Sequence, residues 1–392
     1  MNRLYNIVLN LARSVLPAVS NFGLAYLGIK YLGQESWGAF LSILLWVNLA
    51  VFVADFGNKD YLIRKYSTDP SKVSSFYYQS LFSRLPLLSF SFALFLFFEP
   101  FTALLGFILV VFIFLFQSLN SLVLFYRSFL FQILSEFISF LGIAALFHFQ
   151  QDFDVNALLL LYIFAYFAKS TLVIFSLKSL WPLKGIQFSI RELRSMFPFF
   201  LIGLSGFLAS KIDVYLVSIY LSPSALSEYQ IFLMAFTMVQ ALPAMAVYPF
   251  LKHVYRLNSD VFSKINRLLF LFAWPTVAIA SLGIWTLLHL FLKLNIPNLY
   301  YLGGALYALP SYFFILDIFS LYKEKMEKKV VKVNFLAVLV NFVFLLFLIP
   351  HWGLDGVLFG SILTQFLILI SYKLLNAHKT ITPFKGKSLF GF

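Results

Sequence analysis

Apolar stretches long enough to cross a bilayer recur from one end of this 392-residue chain to the other, with no soluble-sized stretch between them. A hydrocarbon core about 30 Å thick is spanned by about 20 predominantly apolar residues. Apolar windows between charge clusters and turn residues give twelve such spans, at 4–29, 37–57, 73–98, 100–126, 128–148, 155–177, 195–220, 224–250, 268–290, 298–320, 330–350 and 353–375. The least marked division, between the third and fourth, rests on Glu99-Pro100, because proline disfavours helical geometry in the residue before it. Hydrophobic residues make up 61% of the chain and charged residues 11%, and mean hydropathy is +0.89. An ordinary soluble domain is roughly 25% charged, so a soluble globular fold is excluded. The expected class is an all-α integral membrane protein.

The net charge of +13 acquires its meaning from position. With both termini in the cytoplasm, 23 of the 29 Lys and Arg fall in cytoplasmic loops or tails. Only Lys30 and Lys293 fall on the opposite side, while the acidic loop residues divide evenly. Lys and Arg, not net charge, set orientation. The basic excess therefore encodes topology and does not point to a nucleic-acid partner. After Arg3 the apolar pattern outruns a signal-peptide core and shows no small-x-small cleavage site, so the N-terminus reads as the first helix. Trp37 and Trp352 at outer boundaries, and Trp181 at an inner one, suit interfacial anchoring.

The widest connection, around 178–194, divides the spans six and six. The expected organisation is an N-terminal six-helix lobe at 1–180, a cytoplasmic linker at 181–194, a C-terminal six-helix lobe at 195–376 and a cytoplasmic tail at 377–392. A weak repeat accompanies the division. Tyr31-Leu32-Gly33, then Trp37 and Phe40, parallels Tyr220-Leu221-Ser222, then Tyr229 and Phe232, with a three-residue insertion. Two lobes of even span number share orientation, as in parallel-repeat transporters, which place a central cavity between the lobes.

An ionisable side chain at membrane depth costs at least about 2.5–3.5 kcal/mol on insertion scales, so one that persists is a functional candidate facing a cavity or a partner. Arg13, Arg84, Lys169 and Lys211 form a candidate cationic lining suited to a phosphate-bearing substrate, since arginine chelates phosphate oxygens bidentately. Arg84 and Lys169 have a second reading, in which they snorkel to the inner interface. Arg13 is close to mid-depth and shares its helix face with Asn10 and Pro17. Lys211 and Asp213 project about 200° apart on a helix and each needs its own partner. Glu136 and Asp213 either carry a coupling H+ or Na+ or neutralise a nearby base. Asp55 and Asp317 lie nearer helix ends and are weaker candidates for the same role.

No phosphate-binding glycine loop, nucleophile elbow or metal-ligand pair at helical spacing is present in the sequence. The absence of cysteine excludes thiolate metal and haem chemistry. No catalytic residue, metal or cofactor is expected. The 51 Phe sit in apolar surroundings and read as lipid-facing or core-filling.

Three stretches resemble one family. These are Arg13 to Tyr61, with Tyr31-Leu32-Gly33, Trp37-Gly38 and Asp55-Phe56-Gly57; Lys211-Ile212-Asp213 through Tyr229; and Lys323 to Gln365, with Asn341, Leu348-Ile349-Pro350, Gly353 and Gly356. They are similar to the start, the seventh-helix region and the eleventh and twelfth helices of the polysaccharide transport family, the Wzx-like lipid-linked oligosaccharide flippases of the MOP superfamily. The resemblance implies a twelve-helix, two-lobed transporter in a bacterial inner membrane. Its implied cargo is an undecaprenyl-pyrophosphate-linked repeat unit of O-antigen, lipopolysaccharide or another surface polysaccharide. Polysaccharide polymerase machinery is an implied partner. Lipid II flippases usually carry two further helices, for which this chain has no room. A MATE-like multidrug or cation antiporter of the same fold is the alternative reading, and a polytopic glycan polymerase or ligase the second alternative. The polymerase lacks the sizeable outer loop that such enzymes use.

Overall fold

The computed structural model describes residues 2–149, 153–177, 187–247, 259–324 and 326–381. Trp181, Pro249, residues 181–186 of the 181–194 linker, the tail beyond 381 and seven of the loop cations (Lys178, Lys184, Lys252, Arg256, Lys325, Lys385 and Lys387) lie outside the described residues.

In hydrocarbon a backbone N–H or C=O has no water to bond, so a spanning segment must satisfy its own backbone groups. Among the described residues every regular element is accordingly helical. In chain order these are α1 (Asn2–Asp55), α2 (Asn58–Thr68), α3 (Val73–Ser91), α4 (Pro100–Ser118), α5 (Asn120–Tyr126) and α6 (Phe129–Phe149). There follow α7 (Val155–Ser176), α8 (Ile190–Tyr220), α9 (Pro223–Val247), α10 (Ser259–Trp285), α11 (Asn298–Lys323) and α12 (Glu327–Ile381). Nine helical stretches among the described residues are long and apolar enough to cross a membrane. Two of these, Val8–Thr68 and Lys328–Asn376, are 61 and 49 residues long and each holds two passes.

Those double passes break at Gly33 (φ 82°, ψ 165°) and Gly353 (φ 54°, ψ −131°), backbone conformations essentially confined to glycine. Beyond each break the chain packs on itself. Gly28 lies under the ring of Trp37, and a Cβ on Gly356 would sit 2.5 Å from the Leu348 carbonyl. The Gly356-x-x-x-Gly360 pattern thus serves close packing within its own hairpin, with Gly360 against Leu345. With α3 as the least apolar pass and α5 continuing α4, the described residues make twelve helical passes, the number that the hydropathy predicts. The Glu99-Pro100 break holds too, with Pro100 in the first turn of α4.

The chain sorts into two compact units, Met1–Phe207 with Val214–Ile231, and Leu208–Asp213 with Phe232–Phe392. The first takes in much of α8 and the start of α9. Within it α1 packs against α3, α4 and α6, and α4 against α7. Tyr215 donates to the Leu45 carbonyl at 2.6 Å, Ser224 donates to Gln34 Oε1 at 2.8 Å, and Gly38 lies against the Pro223 backbone. Gln34 and Ser224 follow the two halves of the weak repeat, at the points where α1 breaks and where α8 gives way to α9. In the second unit α11 is the hub. Ser311 donates to the Gln240 carbonyl at 2.9 Å, Tyr312 to that of Val239 at 3.0 Å, and Gly304 accepts the ring of Phe236.

The helices turn their apolar side chains outward and their small polar ones inward. Phe97, Phe149, Phe164, Phe175 and Phe272 are exposed, whereas Ser80, Ser83, Ser118, Ser121 and Ser135 are buried between helices. The outward phenylalanines fit a lipid-facing surface. Trp37 departs from the expectation of an interfacial anchor: it is 2% exposed and packed between Gly28, Phe40 and Phe147. Trp352 is exposed, as an anchor requires.

Two glycine substitutions should act with opposite sign. A Cβ meets nothing within 4 Å at either Gly353 or Gly142, but Gly142 lies mid-helix in α6 and Gly353 at positive φ. Gly353→Ala should destabilise by about 1–3 kcal/mol, and Gly142→Ala should be neutral or stabilising by up to about 1 kcal/mol. Melting curves of the two variants in detergent, shifting in opposite directions from wild type, are the check.

Candidate functional site

The charges at membrane depth fall into two classes according to what faces them. Arg84, on α3, is fully buried and surrounded by acceptors. Its Nη1 donates to the carbonyl of Asp55 at 3.4 Å and to Asp55 Oδ1 at 3.3 Å, its Nη2 to Ser118 Oγ at 3.0 Å and its Nε to the Ser80 carbonyl at 3.3 Å. The guanidinium also stacks 4.8 Å from the Phe114 ring centroid. Asp55 ends α1, and the chain then passes through two left-handed residues, Phe56 (φ 48°) and Gly57 (φ 73°), before α2 begins. Arg84 therefore clamps a strained elbow by its carbonyl and its carboxylate together. Gly57 is required there for space as well as conformation, since a Cβ would lie 2.6 Å from the backbone nitrogen of Phe200 on α8.

Lys169, on α7, is likewise buried and compensated. Its Nζ lies 2.8 Å from Glu136 Oε2 on α6 and 4.6 Å from the Tyr166 ring centroid. Ser20, Asn21 and Ser139 border this pair. Neither Arg84 nor Lys169 snorkels to an interface; each turns toward an internal carboxylate. Asp317, on α11, follows the same rule, with Lys373 Nζ at 2.8 Å and Asn376 Nδ2 at 2.8 Å, both from α12.

Arg13 and Lys211 form the second class. Both are half-buried, and among the described residues neither has a carboxylate within 4 Å. Arg13 Nη1 donates to Gln132 Oε1 at 3.2 Å, and Gln132 Nε2 donates on to Asn120 Oδ1 at 2.8 Å, a neutral relay that leaves the positive charge uncompensated. Arg13 Nε and Asn10 Oδ1, one helical turn apart, are buried with no hydrogen-bond partner among the described residues. A buried polar atom left unpaired costs about 1–3 kcal/mol, which makes this the place in the first unit where a polar ligand would gain most. Lys211 lies two residues from Asp213 in the second unit. Asp213 is buried, and Ser361 Oγ on α12 is 3.5 Å from its Oδ2. Among the described residues no group of three or more His, Asp or Glu has metal-site geometry.

Of the eight candidate residues, then, the structure joins Arg84 to Asp55 and Lys169 to Glu136, gives Asp317 a partner in Lys373, and gives Arg13 and Lys211 no ion-pair partner among the described residues. The residues that attention to charge alone misses are the neutral relays. Gln132 and Asn120 around Arg13, and Ser361 beside Asp213, are polar residues inside apolar spans, and that is the signal that marks them.

The two classes should respond differently to mutation. Lys169→Met strands Glu136 and should cost about 3–5 kcal/mol, whereas Lys169→Met combined with Glu136→Leu should recover most of that loss. Arg13→Ala should leave stability within about 1 kcal/mol of wild type, because no buried counter-charge is stranded. Thermal unfolding of the three purified proteins measures all of this.

No known sequence family matches the chain, and no curated protein matches it. Solved structures do. The lipid II flippase MurJ in an inward closed conformation superposes with a TM-score of 0.71 at 15% identity, covering 95% of this chain and 87% of that one. An inward-facing multidrug resistance MATE transporter of the MOP superfamily gives 0.60 at 14% identity over 96% of both chains. The eukaryotic MATE transporter AtDTX14 gives 0.51 at 16% identity, covering 95% of this chain and 96% of that one. At such identities the likeness is one of fold. The chain has the two-lobed, all-helical membrane fold of MOP-superfamily transporters and is a multi-pass membrane protein.

Proposed function

We propose that this protein is a flippase that moves a polyprenyl-diphosphate-linked oligosaccharide across the bacterial plasma membrane by alternating access, with both termini in the cytoplasm. The observation that carries the reading is the imbalance at depth: Arg84 and Lys169 are paired with carboxylates, while among the described residues Arg13 and Lys211 are not. A transporter of organic cations needs the opposite, an unpaired carboxylate. A diphosphate needs uncompensated cations, and arginine meets it bidentately. The MurJ likeness supports a lipid-linked cargo, since that protein is a lipid II flippase.

In this reading Arg13 offers its unpaired Nε to the diphosphate and Lys211 is a further candidate point charge, while the polyprenyl tail stays in lipid. The sugar repeat is that of O-antigen or another surface polysaccharide. Glu136 and Asp213 are the candidate sites for coupling to an H+ or Na+ gradient, with Asp317 and Asp55 behind them. The MATE-like antiporter remains the competing reading on fold alone.

The test is reconstitution in vesicles with a fluorescent polyprenyl-diphosphate oligosaccharide, whose exposure is read by a membrane-impermeant quencher. Wild type should equilibrate the lipid between leaflets, and Arg13→Ala and Lys211→Ala should each slow it tenfold or more, the effect of losing a charge-assisted hydrogen bond of about 1.5–3 kcal/mol. No movement of this lipid by wild type, together with uptake of an organic cation, would assign the protein to the antiporters.

A further inference from the structure

A cationic pocket that does not include Arg13 lies between α2 and α8. A cavity of about 400 Å³ is lined by Tyr61, Arg64, Lys65 and Thr68 of α2 and by Ser195 and Phe199 of α8. The α2 residues stand at i, i+3, i+4 and i+7, one face of a helix, and Ser195 and Phe199 stand at i and i+4 on theirs. Both walls belong to the first compact unit. The elbow at Phe56-Gly57, clamped by Arg84, fixes where α2 leaves α1, and the contact of Gly57 with Phe199-Phe200 fixes α2 against α8. The pocket is thus held by packed helices rather than by a loop.

Its electrostatics favour an anion. Lys65 Nζ lies 2.6 Å from Glu192 Oε1 and 4.4 Å from the Phe76 ring centroid, so the ammonium is held in place and the Glu192 carboxylate is engaged by it. Arg64 is exposed, and among the described residues no carboxylate lies within 4 Å of it, Asp60 one turn earlier included. Arg191 and Arg194, both exposed, add positive charge in the first turns of α8. The hydroxyls of Thr68 and Ser195 donate to the carbonyls of Lys65 at 2.7 Å and Arg191 at 3.0 Å, and can rotate toward a ligand without backbone movement. Phe199 and Tyr61 give the pocket an apolar wall beside its cationic one.

We propose that this pocket binds a phosphate or diphosphate headgroup, with Arg64 as its principal ligand and Ser195 as a hydroxyl donor, at a station separate from Arg13. The inference rests on the flippase reading only for the step it would serve, which is capture of cargo before translocation. The same headgroup chemistry is offered by a membrane lipid and by a soluble diphosphate, and the probes must separate these sources.

Equilibrium binding to the purified full-length protein in detergent, with inorganic diphosphate, farnesyl diphosphate and phosphatidylcholine as probes, makes the test. Arg64→Gln should weaken binding of the diphosphate probes at least tenfold, and Ser195→Trp, which fills the pocket and keeps every charge, should do the same. Lys30→Gln, at an exposed cation that is not part of the pocket lining, should leave this binding unchanged, and phosphatidylcholine should not compete. Equal affinity for the two diphosphates assigns the site to a soluble ligand, whereas preference for farnesyl diphosphate assigns it to a lipid. Wild-type affinity in both Arg64→Gln and Ser195→Trp, loss of binding in Lys30→Gln, or no binding by wild type would overturn the proposal. Because binding is read without translocation, failure of the pocket and failure of the flippase reading are separate results.

Discussion

Hydrocarbon offers neither a hydrogen-bond partner to a peptide group nor a hydration shell to a charge, and both halves of this structure's logic follow from that. The first governs the backbone. Each pass is helical because no other open conformation satisfies its own N–H and C=O groups. The chain departs from helix where a residue tolerates the required backbone, at Gly33, at Gly353 and at the Phe56-Gly57 elbow. The elbow is the costliest of these, since Phe56 is not a glycine, and it is held by a buried arginine that grips both the carbonyl and the carboxylate of Asp55.

The second half governs the charges. A buried cation without a counter-ion is expensive, and a buried pair is a compromise that breaks badly when one partner is lost. Arg84 and Lys169 take that compromise and become part of the architecture. Arg13 and Lys211 do not. Their charges are met by neutral amides or by no carboxylate at all among the described residues, and such a residue is kept at a cost to stability that the fold does not recover. This separates the two arginines by what they face rather than by how deep they lie.

Depth was what the sequence offered, and it set mid-depth Arg13 apart from Arg84 and Lys169, which have room to snorkel, without showing what any of them faces. Arg84 and Lys169, eleven and eight residues from their inner helix ends, were equally compatible with cavity lining, snorkelling and internal pairing. Helix periodicity shows which residues share a face but not which face meets which neighbour. The pairs Arg84–Asp55 and Lys169–Glu136 join residues 29 and 33 positions apart, a distance that no local pattern reports. Trp37 shows the same limit. A tryptophan at a span end reads as an interfacial anchor, yet the fold of α1 at Gly33 brings Gly28 beneath the ring and buries it.

The sequence by itself determined the solvent, the number of passes and where they break, because these depend on local composition and on residues such as Gly33, Pro100 and Gly353 whose backbone preferences act within a few positions. The bias of Lys and Arg is legible on the same terms, since each loop is read independently of the others. The tertiary structure alone decided which charges are neutralised, which remain open and that α2 and α8 enclose a cationic pocket around Arg64. Those outcomes depend on the approach of helices distant in the chain. In an apolar interior, where nearly every helix face is hydrophobic, composition carries no instruction about which faces meet.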